Sequence, residues 1–315
     1  MLVFAASDKG GTGRSVTSSN LLYRSALQGN DVCYVDFDFG SPTAGAIFGV
    51  EGAENGTMSG HGTHRYLRLE ASQPEHINIW SETDRPTVRQ RPAGAGRLVL
   101  LPGDKGGADF TRVAQPSSAK SAPPELRRCI DLFLTINAEF SLCIIDLSAG
   151  RNLAVELALR ATAAPEMRGV QSRWLVFHRW TRQHVVAAGG LVYGKSTGLI
   201  DWAQQYGHDA DEFQDRLRFV RTAIIDLTSP SQRGLTAPQS IWLGQCDNRL
   251  RDLADRHRVG KDLLLGSVPL DPMLQWHEQL ITDDDIAQGI ANRETRDAFD
   301  SLAKRITDDT AWETL

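Results

Sequence analysis

Apolar residues fall into short runs separated by polar, glycine-bearing turns, and the runs alternate between a strand-like and a helix-like spacing. Leu2 to Ala6 is a continuous apolar run that meets a glycine cluster, Gly10, Gly11 and Gly13. From Ser15 to Gln28 the apolar residues Val16, Leu21, Leu22, Ala26 and Leu27 recur at helical spacing, and Gly29 ends the pattern. Val32 to Phe39 reads VCYVDFDF, β-branched and aromatic, with two aspartates near its end. Strand, loop, helix and strand predict a βαβ unit, and with it a parallel sheet.

The alternation persists along the chain. Further strands are predicted at Arg97 to Leu101, Leu142 to Asp146, Trp174 to Phe177, Ala223 to Leu227 and Leu263 to Val268, with amphipathic helical stretches between them. A last helix near Arg293 to Ile306 carries Phe299, Leu302, Ala303 and Ile306 on one face. The fold class that follows is α/β, a doubly wound, mostly parallel sheet flanked by helices, in one domain over 1–315. Residues 49–96 break the rhythm. They are rich in Gly, Pro, His, Arg and Glu with brief apolar pieces, so a loop or mobile lid insertion is expected there. His61 and His64 within it are expected to be solvated rather than metal ligands.

Composition narrows the class. Hydrophobic residues at 41% and charged residues at 23% are globular values and argue against disorder or a coiled coil. The net charge of −5 offers no overall attraction to DNA or anionic lipid. Cys33, Cys129, Cys143 and Cys246 lie far apart without a C-x-x-C pair, so neither a zinc site nor a disulfide framework is suggested. The opening MLVFAAS is too short for a secretory apolar region, and no stretch approaches the ~20 apolar residues of a membrane span. The acidic end, DDTAWETL, is no basic membrane anchor. A cytosolic protein with reduced thiols is expected.

The candidate chemistry begins at Asp8-Lys9-Gly10-Gly11-Thr12-Gly13-Arg14-Ser15, between a predicted strand and a predicted helix. Glycines let successive amides converge on a phosphate, and the following helix adds unpaired N–H groups and about half a positive charge. Ser15, at the start of that helix, is placed either to coordinate Mg²⁺ with its hydroxyl or to cap the helix. Asp36 and Asp38 are two apart on one strand, so both carboxylates face one side; the bland reading is a solvated acidic turn. CIIDLSAG, Cys143 to Gly150, is another apolar strand that ends in a carboxylate, Asp146.

Taken together, these segments resemble the ParA/MinD family of P-loop ATPases. The loop is similar to that family's deviant Walker A motif, K-G-G-x-G-K-[ST], with Arg14 where the family places lysine. VDFDF resembles its D-x-D segment, DLSAG its D-x-x-A-G region, and GSVPLDP its G-x-[IV]-P-x-D-P segment. The likeness runs the length of the chain apart from 49–96, and is nearest to an actinobacterial branch carrying K-G-G-T-G-R-S. It implies ATP and Mg²⁺ as cofactors, with Gly10, Gly11, Thr12, Gly13, Arg14, Ser15 and Val16 around the phosphates. Lys9 would reach across a nucleotide-sandwich homodimer to the phosphates of the partner, and Asp38 would position the attacking water. Ser15, Asp36 and Asp146 would serve the metal, Gly150 would let a switch move, and Pro269, Leu270 and Asp271 would border the base unless they simply cap a helix.

Arg14 modifies that expectation. A forked guanidinium binds phosphate well but is not a compact charge able to follow a transferring phosphoryl group, so binding should survive better than turnover. Asp226 also stands near the place where the family often has an adenine-contacting Asn. Phe177 to His184, FHRWTRQH, reads as a polar helix start with a packed tryptophan, or as a contact to nucleotide or partner. The functional expectation is an ATP-dependent dimerising switch with weak hydrolysis that regulates or positions a partner protein. A hydrolysis-deficient nucleotide-binding scaffold is the alternative. A DNA-partitioning ATPase is disfavoured by the acidic balance, and a metabolic enzyme of the same broad group by the lack of a second-substrate motif.

Overall fold

A computed structural model describes residues 1–106, 123–225 and 234–313. Eight strands form one sheet in the order β3-β4-β2-β5-β1-β6-β7-β8. They are β1 (Leu2–Ala6), β2 (Val32–Phe37), β3 (Ile77–Asn78), β4 (Leu98–Leu101), β5 (Leu142–Leu147), β6 (Ser172–Arg179), β7 (Leu217–Ile224) and β8 (Leu264–Pro269). Every neighbouring pair is parallel except β3 with β4. Six helices of ten residues or more accompany the sheet among the described residues: α1 (Arg14–Leu27), α2 (Pro124–Glu139), α3 (Leu153–Thr162), α4 (Arg182–Tyr193), α5 (Ala237–Arg256) and α6 (Arg293–Thr307).

The strands at the centre are apolar on both sides because helices cover both faces. In β1, Leu2, Phe4 and Ala6 join the core beneath α2, α3 and α4, while Val3 and Ala5 join the core beneath α1 and α6. The order reverses around β1, with β5 on one side and β6 on the other. Ligands of open α/β sheets sit at such a switch point, beyond the carboxyl ends of the strands.

Three predicted elements differ from their expectation. The strand expected at Ala223 to Leu227 lies earlier, at β7, because Leu217, Phe219 and Val220 are the buried residues; residues 226 and 227 fall outside those described. Residues 49–96 are not only loop. They supply β3 and short helices at Thr63–Leu67, Ile79–Glu82 and Pro86–Arg89, and bury Ile77, Ile79, Trp80 and Val88 in the core. The Trp80 indole donates to the Gly96 carbonyl at 2.9 Å, and Arg85 pairs with Asp285 at 3.1 Å. His61 is exposed as expected, but His64 is buried. Its Nδ1 accepts the Asp104 amide at 2.9 Å, which leaves Nε2 to donate to the Phe39 carbonyl at 3.2 Å.

Candidate functional site

The loop between β1 and α1 is shaped by two left-handed glycines. Gly11 has φ 69° and Gly13 φ 73°, values at which a side chain would strain the backbone, and Gly13 forms the N-terminal boundary of α1. No side chain caps α1 and no acidic residue lies in its first turn, so its leading amides are left for another acceptor. The helix-cap reading of Ser15 therefore drops out. On the far side, the Thr222 hydroxyl at the end of β7 donates to the Thr12 carbonyl at 2.5 Å and ties the loop to the sheet.

Two clefts meet on this loop. One, of about 470 Å³, is lined by Ser7, Gly10 to Val16, Asp38, Thr43, Ser148 and Ala149. The other, of about 200 Å³, is lined by Gly11, Thr12, Gly13, Val16, Arg179, Thr222, Val268, Pro269, Asp271 and Leu274. Gly11, Thr12, Gly13, Val16 and Glu278 border both. The first opens onto the loop amides; the second counts Val16, Val268, Pro269 and Leu274 among its walls, beside Arg179, Thr222 and Asp271.

Arg14 holds the centre. Its Nε donates to Asp146 Oδ1, its Nη2 to Asp38 Oδ2 at 3.0 Å and to Ser15 Oγ at 3.4 Å, and its Nη1 to Ser7 Oγ at 3.3 Å. Burial pushes the Arg14 pKa down, but the Asp146 and Asp38 carboxylates more than offset it and hold the guanidinium charged. Asp146 gives its second oxygen to the Tyr34 hydroxyl at 2.5 Å. Asp36 sits opposite Asp146 in the β2–β5 register, fully buried, and accepts the amides of Asp38 at 3.0 Å and Ala44 at 3.2 Å. Burial first, and then the Asp146 and Asp38 charges, push its carboxyl well above the usual range. Asp38 offers its other oxygen to the Ser41 amide at 3.2 Å.

These contacts test the expected Mg²⁺ site. A divalent cation needs open oxygen ligands. Here Asp146 is shared between Arg14 and Tyr34, Asp36 is engaged by two amides, and Ser15 faces Arg14. The site brings Ser15, Asp38 and Asp146 together, but around a guanidinium, and in this arrangement they do not form a metal cage. Asp36 acts instead as a clamp on the turn that follows β2.

The remaining expected residues divide. Lys9 is exposed beside the cleft. Gly150 is left-handed, with φ 83°, and its amide donates to the Ser7 carbonyl at 2.7 Å. Pro269 and Asp271 border the smaller cleft, but Asp271 is spent on structure. It caps the helix Pro272–Trp276 through the Met273 amide at 3.0 Å and accepts the Asn292 amide at 2.9 Å and the Thr295 hydroxyl at 2.8 Å. Leu270 hydrogen-bonds to Ile224 through its amide, and Asp226 lies outside the described residues. Of Phe177 to His184, Trp180 is packed, with its indole donating to Asp247 at 2.7 Å, whereas Arg179 lines the smaller cleft.

Sequence reasoning missed Tyr34, Thr222 and Ser7. Tyr34 had a signal: it stands two residues before Asp36 and so shares its face of the strand.

The sequence profile described as "CobQ/CobB/MinD/ParA nucleotide binding domain" matches residues 3–274. The chain belongs to this family. No curated protein sequence matches it. Solved structures of similar fold include MinD from Pyrococcus horikoshii OT3 with Mg-ADP, at 15% identity over 98% of this chain and 96% of that one, TM-score 0.55. The MinC:MinD complex of Aquifex aeolicus gives 15% identity over 97% and 94%, TM-score 0.59. A putative plasmid partition protein from Borrelia burgdorferi bound to AMPPNP gives 11% identity over 96% of each chain, TM-score 0.57. At these identities the likeness is one of fold.

Proposed function

We propose that the chain binds ATP in the joined clefts and works as a dimerising switch with weak hydrolysis, whose nucleotide state regulates a partner protein. The observation that carries this reading is the left-handed glycine loop ahead of the uncapped helix α1, on which two clefts meet at Gly11, Thr12, Gly13 and Val16. The similar folds were solved with Mg-ADP and with AMPPNP, and one in complex with MinC, which supports a nucleotide and a protein partner here. Lys9 is exposed at the rim and makes no ion pair among the described residues, which suits a cation meant for the phosphates of a second copy.

Calorimetry with a non-hydrolysable ATP analogue, followed by light scattering on the complex, tests the reading. Binding accompanied by a doubling of mass is expected, and Lys9→Ala should bind the analogue yet stay monomeric. A protein that binds the analogue without changing mass is not a dimerising switch.

The hydrolysis-deficient scaffold is a second reading, favoured by one contact. The carboxylate expected to orient water, Asp38, is paired with Arg14 and the Ser41 amide. Single-turnover phosphate release no faster than that of Asp38→Ala would select the scaffold; measurably faster release would select the switch.

A further inference from the structure

Of the groups expected to hold a metal and to position the water, Ser15, Asp146 and Asp38 converge on one side chain, while Asp36 is held by backbone amides. Arg14 reaches the Ser15 and Ser7 hydroxyls and both carboxylates from a position only 7% exposed. A guanidinium has five N–H donors in a fixed fork, and these four contacts leave one Nη1 hydrogen for a further acceptor. A single positive charge shared by two carboxylates offsets one of their two negative charges and orders a hydroxyl with them, so it occupies the place between these oxygens where a divalent cation would sit. For Mg²⁺ to take over, it would have to shed water and displace Arg14 from a buried pair, and both steps are costly.

We propose that Arg14 takes the place of the divalent cation in this cleft, so that the chain binds ATP equally well with and without Mg²⁺. The proposal rests on the ATP-binding reading above. The arginine is specific to the effect. A lysine ammonium presents its donors from one point and does not span Asp38, Asp146, Ser15 and Ser7 together, so Arg14→Lys would release the carboxylates and restore the need for a metal.

The test is calorimetry of a non-hydrolysable ATP analogue against the full chain in Mg²⁺ and in EDTA. For the unaltered protein the two dissociation constants should agree within about threefold, and for Arg14→Lys the EDTA value should be weaker by about tenfold or more. A tenfold loss in EDTA for the unaltered protein overturns the proposal while leaving ATP binding intact. An Arg14→Lys protein that is equally indifferent to Mg²⁺ removes Arg14 from the explanation. No heat in either buffer sinks the ATP reading and this one with it. If Arg14→Lys does not fold, the two titrations of the unaltered protein still decide.

Discussion

His178, in β6, is 1% exposed, and its Nδ1 lies 3.2 Å from the Arg179 carbonyl while its Nε2 has no partner among the described residues. Burial above all, with the Arg221 and His184 charges, pulls its pKa down from 6.5 to about 4. The folded state therefore resists a proton that the unfolded chain takes up below about 6.5. Stability from this residue is whole above that value and is lost as pH falls from about 6.5 to about 4, by roughly 3 kcal/mol in all. Asp36, whose carboxyl is pushed up, pulls in the opposite direction, so the effect is read as a difference. Urea denaturation of the unaltered protein and of His178→Gln at pH 7.5 and pH 5 should show a smaller acid loss in the variant. Tyr34 gives a second prediction at this scale. Tyr34→Phe strips a donor from the buried Asp146 carboxylate and should cost about 1–3 kcal/mol in denaturant unfolding, with the analogue-binding clefts preserved.

Among the elements, the short helix Ala44–Phe48 transmits the Asp36 clamp to residues 49–96. The Ala44 amide is one of the donors to Asp36, and Gly45 lies so close to the next turn that an added Cβ would sit 2.0 Å from the Ala53 carbonyl oxygen. That neighbour is backbone and has little room to yield. Gly45→Ala is expected to destabilise the protein by about 1–3 kcal/mol, measured by urea unfolding, and to weaken analogue binding as the turn after β2 shifts. Helix α1 is fixed by a different device. Arg24 forms two hydrogen bonds with Asp300 of α6, at 2.7 Å and 3.0 Å, and so anchors the helix whose first turn faces the cleft.

Across the whole molecule, the clefts take walls from both halves of the sheet: Ser7, Asp38 and Ser148 follow β1, β2 and β5, Thr222 lies near the end of β7, and Pro269 ends β8. A nucleotide bound there would bridge strands on either side of the switch point. Trp276 is 90% exposed and follows Leu274 and Gln275 on the cleft wall. Binding of the ATP analogue should change its fluorescence, and Trp276→Phe should abolish most of the change without altering the calorimetric affinity. An unchanged signal in that variant would place the reporter elsewhere.

What the sequence determined by itself was local. The alternation of periods decides strand and helix among neighbours in the chain, and glycines between a strand and a helix have one conformational use, so the α/β class and the phosphate loop were legible from residues 2–39. Even the acidic partners could be named, because a carboxylate at a strand end is a short-range pattern. Only the tertiary structure decided whom those groups meet. Arg14 and Asp146 are 132 residues apart, and Asp36 faces Asp146 through sheet register. Asp271 is claimed by Asn292 and Thr295, and a two-residue strand, β3, together with buried His64, draws residues 49–96 into the fold. Such pairings follow from packing and register, which bring together residues that no spacing along the chain relates.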